Sequence, residues 1–236
     1  SRYVKHAELT KELCDIANEK NLVYFEAIMY MHTPLRQVLK DAVSKIGNIR
    51  SATIDFSQLS SKYQALKNGE LPNIFNPEMK TGALNDLGIY CVYPVIDLFG
   101  MPEKITPVQH FLHTGADGSG SAAFEYSDKL VTITYSKVGQ SRSASQIIGD
   151  EGTVTIESIS KLDNIKLYNN NGEEILLKKN TVTAKNVTVG RDFELMQVEI
   201  GALLEDLRNG FEPDLKPLKN KKVIKSVSSI DEIPSI

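Results

Sequence analysis

The sequence predicts an α+β domain, an open and mainly antiparallel sheet backed by helices, and three observations carry that reading. From residue 49 onward, several short segments alternate polar and apolar residues with period two, as half-buried strands do. Between them, "YSDKL" and "GDEG" carry the residue types of tight reversals, so the segments they join run antiparallel. Few stretches repeat apolar residues at helical spacing, enough to back one face of a wide sheet but hardly both.

The elements follow in order. Residues 4–20 place Leu9, Leu13, Ile16 and Ala17 at helical spacing, and Asn21 is a left-handed stop. The apolar run "LVYFEA" over 22–27 shows little alternation and reads as a strand covered on both faces in a parallel sheet, one whose pairing neighbours this short segment does not supply. Pro34 opens a helix with Leu35, Val38, Leu39, Ala42, Val43 and Ile46 on one face, and Gly47 ends it. Strands are predicted over 49–58, 106–112, 121–126, 130–136, 143–148 and 153–157. Others follow over 165–168, 174–177 and 181–187, joined by "NNNG" and "KKN". A last helix over 192–209 turns Phe193, Met196, Ile200, Leu203, Leu204 and Leu207 inward. Segment 60–80, with Pro72 and Pro77, is long enough for a functional loop, and its length suggests that Tyr63 and the prolines around Phe75 cover a pocket.

One helix is unusual. "TGALNDLGIYCVYPVIDLFG", residues 81–100, puts Asp86, Tyr90, Tyr93 and Asp97 on one narrow stripe at 100° per residue, among Leu84, Leu87, Val92, Val95, Leu98 and Phe99. A solvent-facing stripe recruits Lys, Glu and Gln, whereas this segment holds no Lys, Arg or Glu, so the polar side points to a cleft. Pro94 within the helix removes one N–H and frees the Tyr90 carbonyl or kinks the helix.

Composition narrows the function classes. A net charge of −3, with lysines scattered apart from the run at 216–225, offers no nucleic-acid surface. The two cysteines, Cys14 and Cys91, lie in apolar settings as reduced core thiols would, which implies a cytoplasmic setting. No apolar stretch reaches the ~18 residues of a membrane span, and no basic-then-apolar leader opens the chain. His110 and His113 are not a metal pair, because an i, i+3 spacing on a strand sends the rings to opposite faces.

Three stretches, "FEAIMYMHTP", "FNPEMKTGALNDLGIY" and "IIGDEGTVTI", resemble the glucose-fructose oxidoreductase and inositol dehydrogenase (Gfo/Idh/MocA) family, entered partway along its sequence. The resemblance implies an N-terminal Rossmann domain for NAD or NADP, and a C-terminal domain whose open antiparallel sheet supplies the substrate pocket and the oligomer interface. Residues 1–30 are then similar to the last helix and strand of a truncated Rossmann domain, and 31–236 to the substrate-binding and oligomerisation domain. The family's motif of paired glycines followed by Asp-x-Gly-x-His/Tyr is matched by Gly82, Asp86, Gly88 and Tyr90, in the form found in members resembling dihydrodiol and xylose dehydrogenases.

That resemblance implies catalytic roles for Tyr90, as acid/base toward the substrate hydroxyl, and Asp86, as a hydrogen-bond acceptor that holds substrate in register. An unperturbed tyrosine titrates near ~10, so such a base needs a nearby cation, which the family takes from a Glu-Lys-Pro lysine expected before Ser1. Tyr30, His32 and Tyr93 are candidate substrate contacts, and Asp97 and Tyr93 extend the stripe as pocket wall or interface. Thr81 stands where the first motif glycine is expected, and Met31 where many relatives carry arginine. No G-x-G-x-x-G follows a strand, since "GADGSG" lies between strands, so no dinucleotide is expected to bind this chain alone. A sugar, polyol or related hydroxylated compound is the implied substrate. A non-catalytic dinucleotide-sensing regulator and a structural dimerisation module are the alternatives. Ala123, Leu130 and Ile133 leave apolar positions on the uncovered sheet face, which predicts a homodimer or higher homo-oligomer.

Overall fold

The computed structural model describes residues 4–22, 24, 26–79, 81–177 and 191–209. The predicted strand over 181–187 and the basic run at 216–225 lie outside them. The chain runs α1 (Val4–Glu19), α2 (Met29–His32), α3 (Leu35–Val43), β1 (Ile49–Ser57), α4 (Tyr63–Lys67) and a π turn (Leu84–Gly88) that leads into α5 (Ile89–Phe99). Seven strands follow: β2 (Lys104–Phe111), β3 (Asp117–Glu125), β4 (Leu130–Ser136), β5 (Ser145–Gly149), β6 (Gly152–Ser158), β7 (Asp163–Asn169) and β8 (Glu174–Ile175), and α6 (Arg191–Asn209) closes the described chain.

Among the described residues, eight strands form one sheet in the order β2-β3-β4-β1-β5-β6-β7-β8. All neighbours are antiparallel except β1 and β4, which pair in parallel from Ser51 opposite Leu130 to Ser57 opposite Ser136. The period-two pattern has its physical counterpart here. Ala52, Ile54, Ile105, Phe124, Val131, Ile133, Tyr135, Ile147, Val154, Ile156 and Leu167 are buried on one face, where α5 and the π turn lie across β1 and β4 and α6 reaches β2. Among the described residues, nothing covers the opposite face. In-register neighbours Ala123, Thr132, Thr53, Gln146 and Thr155 cross it, with Val108, Leu130 and Ile148 exposed around them. Of the apolar positions assigned to that face, Ile133 belongs instead to the buried one, because alternation from Leu130 puts it under the helices.

The structure differs from expectation at 22–27. Leu22, Tyr24, Glu26 and Ala27 lie outside any strand and are exposed, since a parallel strand exists only through pairing and the sheet lies elsewhere. The first helix also buries less than its pattern suggests: Cys14 and Ala17 are covered, whereas Leu9, Leu13 and Ile16 are exposed. Its neighbour is α6, where Ile200, Leu203 and Leu207 are buried as predicted. Both cysteines are buried. No described helix is long and apolar enough to cross a membrane.

Candidate functional site

The site is built around the start of the unusual helix. Leu84–Gly88 forms a π turn, closed by the Ile89 N–H bonding the Leu84 carbonyl five residues back, and α5 continues through Pro94 to Phe99. Wide turns of this kind concentrate at functional sites. Both motif glycines have steric causes. Gly82 adopts φ 142°, and a Cβ there would lie 1.8 Å from the Asp117 Oδ1. Asp117 Oδ2 in turn accepts the Leu84 N–H at 2.6 Å, satisfying an orphan donor where the turn begins. A Cβ on Gly88 would come within 2.8 Å of Leu84 and 3.1 Å of the Tyr135 ring, so this glycine lets the helix lie close on β4. Thr81, the departure from the motif, uses its hydroxyl on the loop: its Oγ1 lies 2.7 Å from the Asn73 carbonyl oxygen and 3.2 Å from that of Asn76. Gly82→Ala is expected to destabilise the fold by ~2–3 kcal/mol through positive-φ strain and displacement of the Asp117 cap. Urea unfolding checks this, and an unchanged midpoint would refute it.

The four stripe residues divide into two pairs. Asp86 keeps 43% of its side chain exposed and is salt-bridged to Lys137, whose own side chain is 11% exposed. Tyr90 is half-buried, its ring edge-on to Phe56 at 5.6 Å and 80°. The other two are closed off by protein. Tyr93 is fully buried and donates its hydroxyl to Glu26 at 2.5 Å; burial, then the Glu26 charge, pushes its phenol far above the ordinary range. Asp97 accepts from Arg36 Nε, Lys40 Nζ and the Tyr30 hydroxyl, each at 2.9 Å, and from a second Arg36 nitrogen. Burial alone would raise the Asp97 pKa, but hydrogen bonds and charge from Arg36 and Lys40 outweigh it and hold the carboxyl below the ordinary value.

The polar counterpart of the stripe's second half is therefore the segment 26–40. Tyr30 is completely buried, and burial followed by the neighbouring Asp97 raises its phenol well above 10.0. Met31 is buried as well, and His32 Nε2 donates to the Glu26 carbonyl at 3.2 Å, which requires the proton on that nitrogen. A substrate contact in which Tyr30 or Tyr93 donates would need its hydroxyl to exchange Asp97 or Glu26 for the ligand. Asp86 and Tyr90 need no such exchange. Sequence reasoning missed Arg36, Lys40, Glu26 and Lys137. The i, i+4 spacing of Arg36 and Lys40 on α3 was a readable signal for a basic ridge, whereas Lys137 reaches Asp86 only through sheet register and helix placement.

Other candidates are placed plainly. His110 and His113 are exposed, and no cluster of metal-ligating residues occurs among the described residues. Residues 63–79 fold as α4 and two short 3-10 turns, with Phe75 fully buried and Tyr63 tilted against it at 6.1 Å. Alongside lies a shallow cavity of about 520 Å³ between Lys62 and Ile74, lined by none of the motif residues. The "GADGSG" turn runs into β3 rather than a helix, so its amides form no helix-terminal cradle for a pyrophosphate.

Residues 35–155, just over half of the chain, match the GFO/IDH/MocA C-terminal domain. The chain belongs to that family. Scyllo-inositol 2-dehydrogenase (NADP(+)) IolU of Bacillus subtilis is 31% identical over 170 residues, 72% of this chain and 52% of that protein. Trans-1,2-dihydrobenzene-1,2-diol dehydrogenase of Xenopus tropicalis is 28% identical over 159 residues, 65% of this chain and 46% of its own length. The chain thus spans about half the length of the curated relatives it matches. In fold it is similar to KijD10, a 3-ketoreductase from Actinomadura kijaniata solved with NADP and TDP-benzene, with a TM-score of 0.70 at 16% identity over 87% of this chain and 67% of that one.

Proposed function

We propose that this chain is the substrate-binding and oligomerisation part of a cytoplasmic NAD(P)-dependent oxidoreductase acting on a sugar, polyol or related hydroxylated compound, with residues 1–30 closing a Rossmann domain that holds the dinucleotide. One observation carries the reading: in a chain of this family, Asp86 and Tyr90 are the two stripe residues left partly open, on a π turn and the helix it starts. The nicotinamide, when bound, exchanges a hydride with the carbinol carbon of the substrate. Tyr90 moves the hydroxyl proton at its Oη, and the Asp86 carboxylate accepts a hydrogen bond from a substrate hydroxyl. His32 contributes from the pocket margin, and Tyr30 and Tyr93, buried behind it, brace its wall.

Turnover tests this reading. The protein carrying its nucleotide-binding domain is expected to reduce NAD⁺ or NADP⁺ with at least one compound from a panel of inositols, aldoses and trans-diols. No reduction with any of them would overturn it. We also propose that two copies pair through this sheet face, which combines a Thr-rich centre with exposed Val108, Leu130 and Ile148. Sedimentation at micromolar concentration is expected to give twice the chain mass, and Thr132→Arg, at the centre of that face, to give the monomer. A monomeric unmodified chain would count against the pairing.

A further inference from the structure

The Lys137–Asp86 pair joins a motif carboxylate to a lysine whose side chain is largely covered. Lys11 and Asp15 are 52% and 57% exposed, as a solvated pair is, whereas Lys137 is 11% exposed against 43% for its partner. The lysine side chain is mostly covered and the carboxylate is not. Lys137 is also held rigidly at its own backbone: its N–H donates to the Gly118 carbonyl at 2.9 Å, and its carbonyl accepts the Ser60 N–H at 2.9 Å. The side chain leaves the end of β4 and crosses to the π turn from a fixed origin.

Such an arrangement has a poor stability rationale. An ion pair with one partner 43% exposed is screened by water and adds little stability. A flexible four-carbon stem ending in a strongly hydrated charge stays buried only when a partner holds it. Here the partner is one of the two motif side chains left partly exposed. A carboxylate held on one side by a lysine of fixed origin loses rotational freedom, while its remaining surface stays accessible to a hydroxyl donor.

We propose that Lys137 is a positioning residue of this site: it fixes the Asp86 carboxylate in one rotamer, with the open side presented to a substrate hydroxyl. The inference rests on the reading of Asp86 as a substrate acceptor but is testable apart from it. In this chain, three-bond couplings from the Asp86 Cγ to backbone N and C′ report its χ1 directly by NMR. A single rotamer is expected in the unmodified chain, averaging in Lys137→Met, and a single rotamer again in Lys137→Arg. A single Asp86 rotamer retained in Lys137→Met would overturn the proposal. Should that variant not fold, Lys137→Gln carries the same measurement.

The kinetic arm uses the protein with its nucleotide-binding domain and scyllo-inositol, or another polyol that it turns over. Lys137→Met is expected to raise KM about tenfold and lower kcat less than about threefold, the pattern of lost ground-state positioning, with Lys137→Arg restoring most of the KM. If Tyr90→Phe is inactive but Lys137→Met keeps its KM, the Lys137 inference falls and the functional reading stands. If Tyr90→Phe keeps full activity, the functional reading falls, and the rotamer measurement still decides whether Lys137 positions Asp86.

Discussion

Tyr90→Phe in the protein with its nucleotide-binding domain is expected to lower kcat by ~10²- to 10⁴-fold, the usual scale for losing a general acid/base. That loss is about 3–5 kcal/mol of transition-state stabilisation. The substitution removes one oxygen and leaves the ring, so the edge-on contact with Phe56 at 5.6 Å survives, and the melting temperature is expected to stay within a few degrees. Dinucleotide affinity should be nearly unchanged, because the substitution leaves the proposed Rossmann domain untouched. The combination is diagnostic: a structural tyrosine would lose stability with activity, and a cofactor contact would lose affinity with it. Undiminished turnover in Tyr90→Phe rules the residue out as the proton-transfer group.

The parts of this molecule that were legible in its sequence are those set by local physics. β4 matches its predicted span of residues 130–136 because apolar and polar residues alternate from Val131 onward and clear turn signals bound it. The last helix was readable from its apolar spacing, and Ile200, Leu203 and Leu207 are indeed its buried side. What escaped were consequences of contacts distant in sequence. Turn residues speak only for strands adjacent along the chain, so nothing local announced that β1 inserts between β4 and β5 with a parallel partner on one side. A stripe drawn at 100° per residue assumes a uniform helix, and the π turn at Leu84–Gly88 breaks that assumption ahead of Tyr90. The motif supplied Asp86 and Tyr90, but their sorting from Tyr93 and Asp97 depends on Lys137, Glu26, Arg36 and Lys40, which come from three other regions of the chain. Periodicity identified a polar side without saying whether water, ligand or protein would meet it.

Asp97→Asn tests the protein-filled half of that stripe, and its effect should depend on pH. The Asp97 side chain is 2% exposed and binds two cations, Arg36 and Lys40, that are themselves 31% and 34% exposed. Breaking a fully buried pair costs about 3–5 kcal/mol, but cations that can still reach water recover part of this, so a loss of ~2–3 kcal/mol is expected near pH 7. Asparagine keeps an acceptor for the Tyr30 hydroxyl and nearly the same volume, so the loss isolates the charge. The folded-state pKa of Asp97 is depressed, so its contribution is fully present above the unfolded value of ~3.9 and disappears as pH falls through the folded value. Unmodified protein and variant should therefore differ by a constant amount from pH 7 down to about pH 5, then converge below about pH 4 as the unmodified carboxyl takes up its proton. Urea unfolding across that range measures the difference directly. A gap that persists undiminished at the acid end would mean that Asp97 anchors α3 to α5 by shape and hydrogen bonding, and that the two cations on α3 are bystanders to the fold.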